Sequence, residues 1–476
     1  MPFLPLSSTT MAKLKRLLAS FSHHSWHGVV IYVLRILIGG LFIFSGFVKA
    51  IDPWGSFYKF TEYVSALHLG LGAGQVLFLA FAVAIVEFVL GVCILVGCYR
   101  RGAPIVALTF IGAMLPLTFY LAVTDAVPDC GCFGDAWVLG NWATFIKNVI
   151  IAALLYYLLL YNRRYPSLYG PAVHWVVGAL SFAFVLSVSL YGYFVQPLID
   201  FRPYGVGESL VSATSTSPQQ EGNYTFVYEK DGQQATFTID SLPDEEDGWE
   251  FVERKDESGM IAPAQQQDKQ GFTILDEGVD ITDDVLAPER DAILVLFPDM
   301  RNVDISSAYP VNRLAETAGN LGVSLVALTG DTPDVIAWWN DISMAAYPIY
   351  TCDDSDIKML ARGNPAVVFL RNGTIEWKRT LSSLDVECLA ESHDLKAWGG
   401  DFDALATLHR LLAIYLLAMV ALLILNRAYP LLRLLLTKTR GTEEETETIA
   451  TGEEIEADTT TEVSGTETGN QNTNNH

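Results

Sequence analysis

Six long apolar stretches constrain the fold of this chain more than any other feature. Each approaches the roughly 20 apolar residues that a helix needs to cross a lipid bilayer. Half of the residues are hydrophobic (51%), and the net charge of −24 is no objection, because the acidic residues lie outside the apolar stretches. We therefore predict a polytopic α-helical membrane protein with spans at 29–49, 76–98, 103–123, 141–161, 172–194 and 408–427.

Basic residues in the short flanks predict the orientation of these spans. Every basic flank falls on one side of the membrane if all six stretches cross it, so both termini are expected in the cytoplasm and residues 195–407 outside it. The first span is too long for the core of a signal peptide, so residues 1–28 are expected to remain as a cytoplasmic N-terminus, whether translation starts at Met1 or Met11. The basic residues are Lys13, Lys15, Arg16, Arg100, Arg101, Arg163, Arg164, Arg427, Arg433, Lys438 and Arg440.

The outward loop between spans three and four contains two thiols one residue apart, Cys130 and Cys132. A disulfide needs its two Cα atoms within about 4.4–6.8 Å, so the chain must turn between them, and Gly131 permits that turn. A strained, exposed disulfide is more oxidising than a structural one. The pair is a redox-active site, a permanent staple of the loop, or two unreactive thiols. Asp129 and Asp135 oppose thiolate formation, because nearby negative charge raises a thiol pKa.

Glu87 lies near the middle of span two, where a carboxylate is costly and is usually functional or paired. It is either a proton relay and polar contact for a quinone, or it makes a helix-packing hydrogen bond. Lys49, at the outer mouth of span one, is in a position to stabilise a loop thiolate, although a surface pair with Asp52 is the simpler account. We predict Cys130, Cys132, Glu87 and Lys49 as catalytic residues, and no spacing indicates a metal site. The packing partners considered for Glu87 are Ser45, Thr109 and Thr118.

The part between spans five and six combines two patterns. In residues 195–284, short β-like runs alternate with turns, and the Asp231-Gly232 turn predicts a hairpin in an antiparallel subdomain. In residues 285–400, strands alternate with helices, and the apolar run Ala292–Phe297 is typical of a strand buried on both faces. The chain ends in residues 441–476, which carry ten Asp or Glu and no Lys or Arg and are predicted to be a disordered cytoplasmic tail.

The order of strands and helices in residues 285–400 resembles a thioredoxin-like domain. Pro365 precedes an apolar strand, at the place where that fold has its cis-proline. The place of the thioredoxin Cys-x-x-Cys motif is occupied by Pro298–Val303 and contains no cysteine, so no thiolate forms there. We therefore expect a binding or scaffolding module. Whether Cys352 and Cys388 pair with each other is left open.

Three motifs in residues 29–161 occur together: Arg35–Pro53 in the first helix, Glu87, Gly91 and Gly97 in the second, and the cysteine loop Asp129–Gly134. With these motifs, residues 29–161 resemble the DoxX superfamily and the methylamine-utilisation MauE proteins, and the whole chain resembles extended DoxX/MauE proteins of Bacteroidetes. This resemblance implies a four-helix redox-associated bundle in the bacterial inner membrane, similar in outline to DsbB and vitamin K epoxide reductase. The spans at 172–194 and 408–427 are additions to a minimal MauE protein.

Two functions from different classes follow from these features. The first is a thiol–disulfide redox membrane protein, an oxidoreductase of the DsbB type, which exchanges electrons with an extracytoplasmic client or thiol carrier and passes them to a quinone or another thiol. The second is a non-enzymatic assembly factor whose thioredoxin-like domain binds the client. A solute transporter is disfavoured, because one deep carboxylate and no inverted repeat are seen. Nucleic acid is not an expected partner, because no long basic patch is present.

Overall fold

A computed structural model describes residues 8–127, 129, 131–210, 225–230, 233–238, 250–255, 272–287, 290–388, 395 and 403–429, with side chains from Trp26 onward except Arg163 and the three strands between 225 and 255. Three features predicted from the sequence lie outside the described residues: Cys130, the Asp231-Gly232 turn and the acidic tail 441–476.

In the part of the chain that the structure describes, six helices are long and apolar enough to cross a membrane, which confirms the prediction of a multi-pass membrane protein. They span Trp26–Ile51, Ala73–Val96, Gly102–Thr124, Asn141–Tyr161, Pro171–Phe194 and Ala404–Tyr429. The helices, numbered along the chain, are α1 Ser8–Ile51, α2 Pro53–Ala66, α3 Ala73–Val96, α4 Gly102–Thr124, α5 Asn141–Tyr161, α6 His174–Phe194, α7 Thr282–Val285, α8 Ala308–Asn320, α9 Pro333–Ser343, α10 Asp354–Leu360 and α11 Ala404–Tyr429.

Helix α2 is a short helix between α1 and α3 whose start is fixed by local chemistry. The side chain of Asp52 accepts a hydrogen bond from the Gly55 main-chain nitrogen (2.9 Å), and Pro53 follows as the first helical residue. A carboxylate cap and a proline at the first position are both favoured at helix N-termini. We call α1 to α5 the membrane module.

A seven-stranded mixed sheet forms the core of a separate domain, residues 272–388, which we call the sheet domain. The strand order is β10-β9-β6-β7-β8-β4-β5, in which β6, β7 and β8 are parallel and β9 and β10 are antiparallel to their neighbours. The strands are β4 Ile274–Asp276, β5 Val279–Asp280, β6 Ala292–Phe297, β7 Ser324–Thr329, β8 Ile349–Cys352, β9 Ala366–Arg371 and β10 Thr374–Thr380.

Strand β6 is buried along its whole length and separates two hydrophobic cores. Alternate residues of a strand point to opposite faces of the sheet. Ile293 and Phe297 pack on one face with α8 and α9, where Trp339 is fully buried, whereas Leu294 packs on the other face with Ile357 of α10. This double burial explains why the run Ala292–Phe297 is continuously apolar.

The remaining strands form a small three-stranded antiparallel sheet with the order β2-β1-β3. Strands β1 and β2 pair as neighbours, in agreement with the predicted hairpin. Strand β4, expected in this subdomain, instead pairs with β8 of the seven-stranded sheet, because Ile274 fills the core beneath it. The strands are β1 Thr225–Lys230, β2 Gln233–Thr238 and β3 Glu250–Lys255.

The chain that leaves α6 runs along the edge of the sheet domain as far as Leu210. The Thr380 main-chain nitrogen donates to the Val195 carbonyl (2.9 Å), and the Leu210 nitrogen donates to Gly373 (2.8 Å). These bonds tie the sheet domain to the end of α6. The peptide bond between Asn364 and Pro365 is cis.

Candidate functional site

Close packing of α1 against α3 builds the floor of the site. A Cβ atom on Gly91 would lie 2.5 Å from the Ile43 main-chain nitrogen, and one on Gly39 would lie 2.8 Å from the Leu95 nitrogen. Only glycine allows two helix backbones to approach this closely. The approach brings Lys49, near the end of α1, against Glu87 of α3.

Lys49, Ser45 and Glu87 form a buried polar cluster that holds the main chain of the cysteine loop. The Lys49 ammonium donates to Glu87 Oε2 (2.8 Å), to Ser45 Oγ (2.7 Å) and to the carbonyl oxygen of Cys132 (2.6 Å). These three bonds use all its protons. The Ser45 hydroxyl lies 2.7 Å from both Glu87 Oε2 and the Cys132 carbonyl, and its single proton serves one of them at a time.

The cysteine loop turns sharply at its glycines and is held at its start by a second lysine. Gly131 and Gly134 have φ values of +55° and +51°, a backbone region that favours glycine. The Lys59 ammonium of α2 lies 2.8 Å from Asp129 Oδ1 and 2.9 Å from Glu62 Oε2. Burial lowers the pKa of Lys59, but its hydrogen bonds to these two carboxylates raise it overall. Asp129 therefore does not act on the loop as an uncompensated negative charge.

The other end of the loop is held by an arginine from the sheet domain. The Arg362 guanidinium lies 2.7 Å from Asp52 Oδ2 and 2.6 Å from Asp135 Oδ2, and its side chain is only 5% exposed. Gln196 brackets its main chain, because the Gln196 amide donates to the Arg362 carbonyl (2.5 Å) and accepts from the Arg362 nitrogen (3.2 Å). Burial opposes the charge of Arg362, but Asp52 and Asp135 raise its pKa above the usual value. One cation thus joins the sheet domain, α2 and the cysteine loop.

An apolar cavity of about 200 Å³ lies beneath the loop, inside the membrane module. Its polar lining includes Ser45, Lys49, Glu87 and Cys132 at one end and Lys147 nearby, whose ammonium lies 4.4 Å from the centre of the Phe133 ring. The rest of the wall is mostly aliphatic and aromatic, as is typical of small-molecule sites. Its apolar residues include Leu41, Phe42, Phe60, Val64, Leu79, Val83, Phe110, Ile111, Met114, Leu117, Leu121 and Ile151.

The structure brings together three of the four predicted catalytic residues. Lys49 and Glu87 contact each other. Lys49 bonds the Cys132 carbonyl directly, and Glu87 and this carbonyl are both within hydrogen-bond distance of the Ser45 hydroxyl. Cys130 lies outside the described residues. The simpler account of Lys49 was wrong, because it pairs with Glu87 and not with Asp52.

Among the packing partners considered for Glu87, Ser45 is the one that bonds it. Thr109 and Thr118 donate to carbonyls of their own helix. Neither Cys352 nor Cys388 forms a disulfide, and Cys352 is buried in the sheet domain.

Lys59 and Arg362 were missed from the sequence. Lys59 follows Asp52 by seven residues, so it shares a face of α2 with the capping carboxylate, and this spacing was a usable signal. Arg362 had none, because it meets Asp52 across a sequence separation of 310 residues.

The membrane module is similar to a known protein family. Residues 28–161 match the family model of the methylamine utilisation protein MauE. Residues 223–258 match the model of a domain of unknown function, DUF8463, and include the hairpin β1–β2. No curated protein matches the chain. The MauE match covers the cluster of Ser45, Lys49 and Glu87 and the whole cysteine loop, but only a minority of the chain.

Proposed function

We propose that this chain is a membrane-embedded thiol–disulfide redox protein whose Cys130 and Cys132 exchange electrons with an extracytoplasmic client protein or thiol carrier. The observation that carries the proposal is the bonding of the Cys132 carbonyl to Lys49 and Ser45 at the polar end of an apolar cavity. A permanent staple needs neither a buried ion pair nor a cavity beneath it. Such a pair inside a membrane is costly and is usually kept for function.

The proposed exchange balances as a two-electron transfer. A client thiolate attacks one sulfur of the Cys130–Cys132 disulfide, and the second client thiolate resolves the mixed disulfide. The client becomes a disulfide, and the loop becomes a dithiol after taking up two protons. Lys59 and Arg362 compensate Asp129 and Asp135, so the flanking carboxylates oppose thiolate formation less than their charges suggest.

The cavity fits a quinone as electron acceptor. Its wall is apolar, and the ion pair of Lys49 and Glu87 at one end would place a positive charge and a carboxylate that can take up a proton beside the ring oxygens of a quinone. When bound, a quinone supplies a two-electron, two-proton acceptor. Lys49 and Ser45 fix the Cys132 main chain against the cavity wall, so the thiol pair stays close to whatever occupies it.

The sheet domain supports the thioredoxin-like part of the proposal by its topology. Its strand order β10-β9-β6-β7, with β6 and β7 parallel and β9 antiparallel, agrees with a thioredoxin-like core. The Pro298–Val303 segment after β6 contains no cysteine, so we assign the domain to client binding. This feature also favours the second candidate, a non-enzymatic assembly factor, in which the loop cysteines only shape the site.

We also propose the orientation expected from the basic flanks, in the bacterial inner membrane with the sheet domain in the periplasm. Two of the basic residues lie together, opposite the sheet domain: Arg100 donates to the Tyr165 carbonyl (2.9 Å) and Arg427 to the Leu168 carbonyl (3.2 Å). Arg35 of α1 is buried beside them and donates to Asn162 Oδ1 (2.7 Å) and to the Tyr165 carbonyl (3.3 Å).

The experiment mixes the purified, reduced full-length protein with a short-chain ubiquinone and counts thiols by maleimide mass shift. We expect loss of two thiols per quinone reduced, with Cys132→Ser inactive and Cys388→Ser, an exposed thiol elsewhere, unchanged. Lys49→Met and Glu87→Gln should slow the reaction by about 100-fold or more if the pair handles protons. The quinone step would be contradicted if the loop thiols stayed reduced in the presence of the quinone. If it also fails to oxidise any dithiol, the assembly-factor function replaces the redox one.

A further inference from the structure

A large cleft separates the sheet domain from α2 and carries no role in the exchange described above. One part of it has a volume of about 1220 Å³ and an adjoining part about 530 Å³. The two parts share the wall residues Phe57, Tyr58, Pro298, Asp299 and Asn302, so they are continuous. The larger part alone exceeds the roughly 300–1,000 Å³ of most small-molecule sites, so the cleft has room for a polymeric occupant.

The two walls of the cleft differ in chemistry. The wall on the membrane side is mostly aromatic and aliphatic, with Thr61, Glu62, Ser65 and His68 as polar residues, whereas the sheet-domain wall carries carboxylates at the carboxyl ends of β6, β7 and β8. Asp354 pairs with Lys358, but the ion pairs found among the described residues include neither Asp299 nor Asp331. The apolar residues that line the cleft include Trp54, Phe57, Leu69, Leu71, Leu77, Tyr193 and Phe194.

Asp299 and Asp331, two of the carboxylates of the cleft without an ion pair among the described residues, are held in fixed positions by the main chain. Asp331 Oδ2 accepts a hydrogen bond from the Met300 nitrogen (2.8 Å), and Asp299 accepts from the Asn302 nitrogen (3.2 Å). Their lone pairs are not exhausted by these bonds, since a carboxylate has about four acceptor sites. They repel the phosphate of a lipid head group and attract a cation.

We propose that this cleft binds an extended polypeptide segment of the client, with Lys or Arg side chains toward Asp299 and Asp331 and apolar side chains toward α2. The inference deepens the proposed function, because it names how a client is held, but it does not depend on the redox step. A link to the loop exists: Glu62 lines the cleft and pairs with Lys59, which pairs with Asp129 of the cysteine loop. A client cation that competes for Glu62 would loosen the loop at its first carboxylate.

The test uses full-length protein in nanodiscs of phosphatidylcholine and a cysteine-free, twelve-residue peptide that alternates Lys with apolar residues and carries one photo-crosslinking side chain. A second peptide has Glu in place of every Lys. Binding is followed by fluorescence anisotropy at two salt concentrations, and crosslinks are mapped by mass spectrometry. We expect the Lys peptide to bind at least about tenfold more tightly than the Glu peptide, less tightly in high salt, and to crosslink to residues 57–71 or 298–302.

Charge-neutral variants separate this site from general attraction to an acidic protein. Asp299→Asn combined with Asp331→Asn removes both negative charges but keeps one acceptor oxygen at each position, and it should weaken binding of the Lys peptide about tenfold. Asp283→Asn combined with Asp284→Asn removes the same charge from the exposed start of α7 and should change nothing. Equal binding of both peptides, equal effects of the two double variants, or crosslinks outside the cleft would each overturn the proposal. The Cys130→Ser/Cys132→Ser protein should bind the peptide normally, so loss of redox activity leaves this inference standing.

Discussion

Replacement of Arg362 should release the sheet domain from the cysteine loop without unfolding it. Arg362→Gln removes a guanidinium whose side chain is 5% exposed and leaves Asp52, 16% exposed, without its cation. Removal of one partner from a buried ion pair typically costs about 3–5 kcal/mol. The second pair contributes less, because the Asp135 side chain is 48% exposed and solvent screens it. We therefore expect a net loss of about 3 kcal/mol in the free energy of docking.

This loss corresponds to about a 150-fold increase in the undocked population. Hydrogen–deuterium exchange on the full-length protein measures it directly. Peptides that cover residues 129–137 and 195–202 should exchange about 100-fold faster in Arg362→Gln, because opening exposes their amides. Peptides from β6, deep in the sheet domain, should keep their protection.

Two controls sharpen this measurement. Arg371→Gln removes an equally charged side chain that is 37% exposed and pairs only loosely with Asp291 (3.9 Å), so its exchange should match that of the unmodified protein. Adding Asp52→Asn to Arg362→Gln should recover about 1 kcal/mol or more, because the orphaned carboxylate is then neutral. Exchange that stays within threefold of the unmodified protein, or rises equally in β6, would refute the reasoning.

Three further predictions concern pH, packing and topology. Burial and the neighbouring Asp353 raise the pKa of Asp356 to about 6, so the folded protein binds a proton at this carboxyl more tightly than the unfolded chain does. As the pH falls from 7 to 4, Asp356 alone should add at most about 3 kcal/mol to the free energy of unfolding, whereas carboxylates with a lowered pKa, such as Asp200, act in the opposite direction. In pulse proteolysis, Asp356→Asn should therefore lose stability relative to the unmodified protein as the pH falls. Gly91→Ala should lower the free energy of unfolding by about 1–3 kcal/mol and reduce the thermal midpoint with it. Gly112→Ala in α4, where a Cβ meets nothing within 4 Å, should leave both unchanged. A single cysteine at Ser212 should react with an impermeant maleimide in intact cells and one at Thr459 should not; the reverse pattern would contradict the orientation.

The membrane spans and the alternation of strands and helices from β6 onward could be predicted from the sequence, because apolar length and alternation are local signals. The prediction of Glu87 as a special residue was also local, since a carboxylate inside an apolar helix is conspicuous. Two assignments failed for a common reason. The partner of Lys49 depends on how closely α1 and α3 approach at Gly39 and Gly91, and the placement of β4 depends on which sheet edge is open. Tertiary packing determines both of these contacts, and they cannot be predicted from the linear pattern of the sequence.

The contact between the sheet domain and the loop was beyond prediction for a different reason. A buried arginine is recognisable only after its surroundings are known, and in the sequence Arg362 looks like an ordinary residue of the loop after α10. The acidic residues of the loop appeared as an obstacle to thiol chemistry. In the structure they are anchor points for Lys59 and Arg362, so their effect on the thiols is reduced.

The central claim is that Cys130 and Cys132 cycle between dithiol and disulfide, and their redox state in native membranes tests it most directly. Membranes are quenched with acid, alkylated, and analysed by mass spectrometry before and after depletion of quinone. The account predicts a mostly oxidised pair that becomes reduced when quinone is removed, and a client trapped through Cys130 as a mixed disulfide in the Cys132→Ser protein. The account would be contradicted if the redox state of the pair did not depend on quinone and if cells with the Ser variant of either cysteine grew normally and trapped no client.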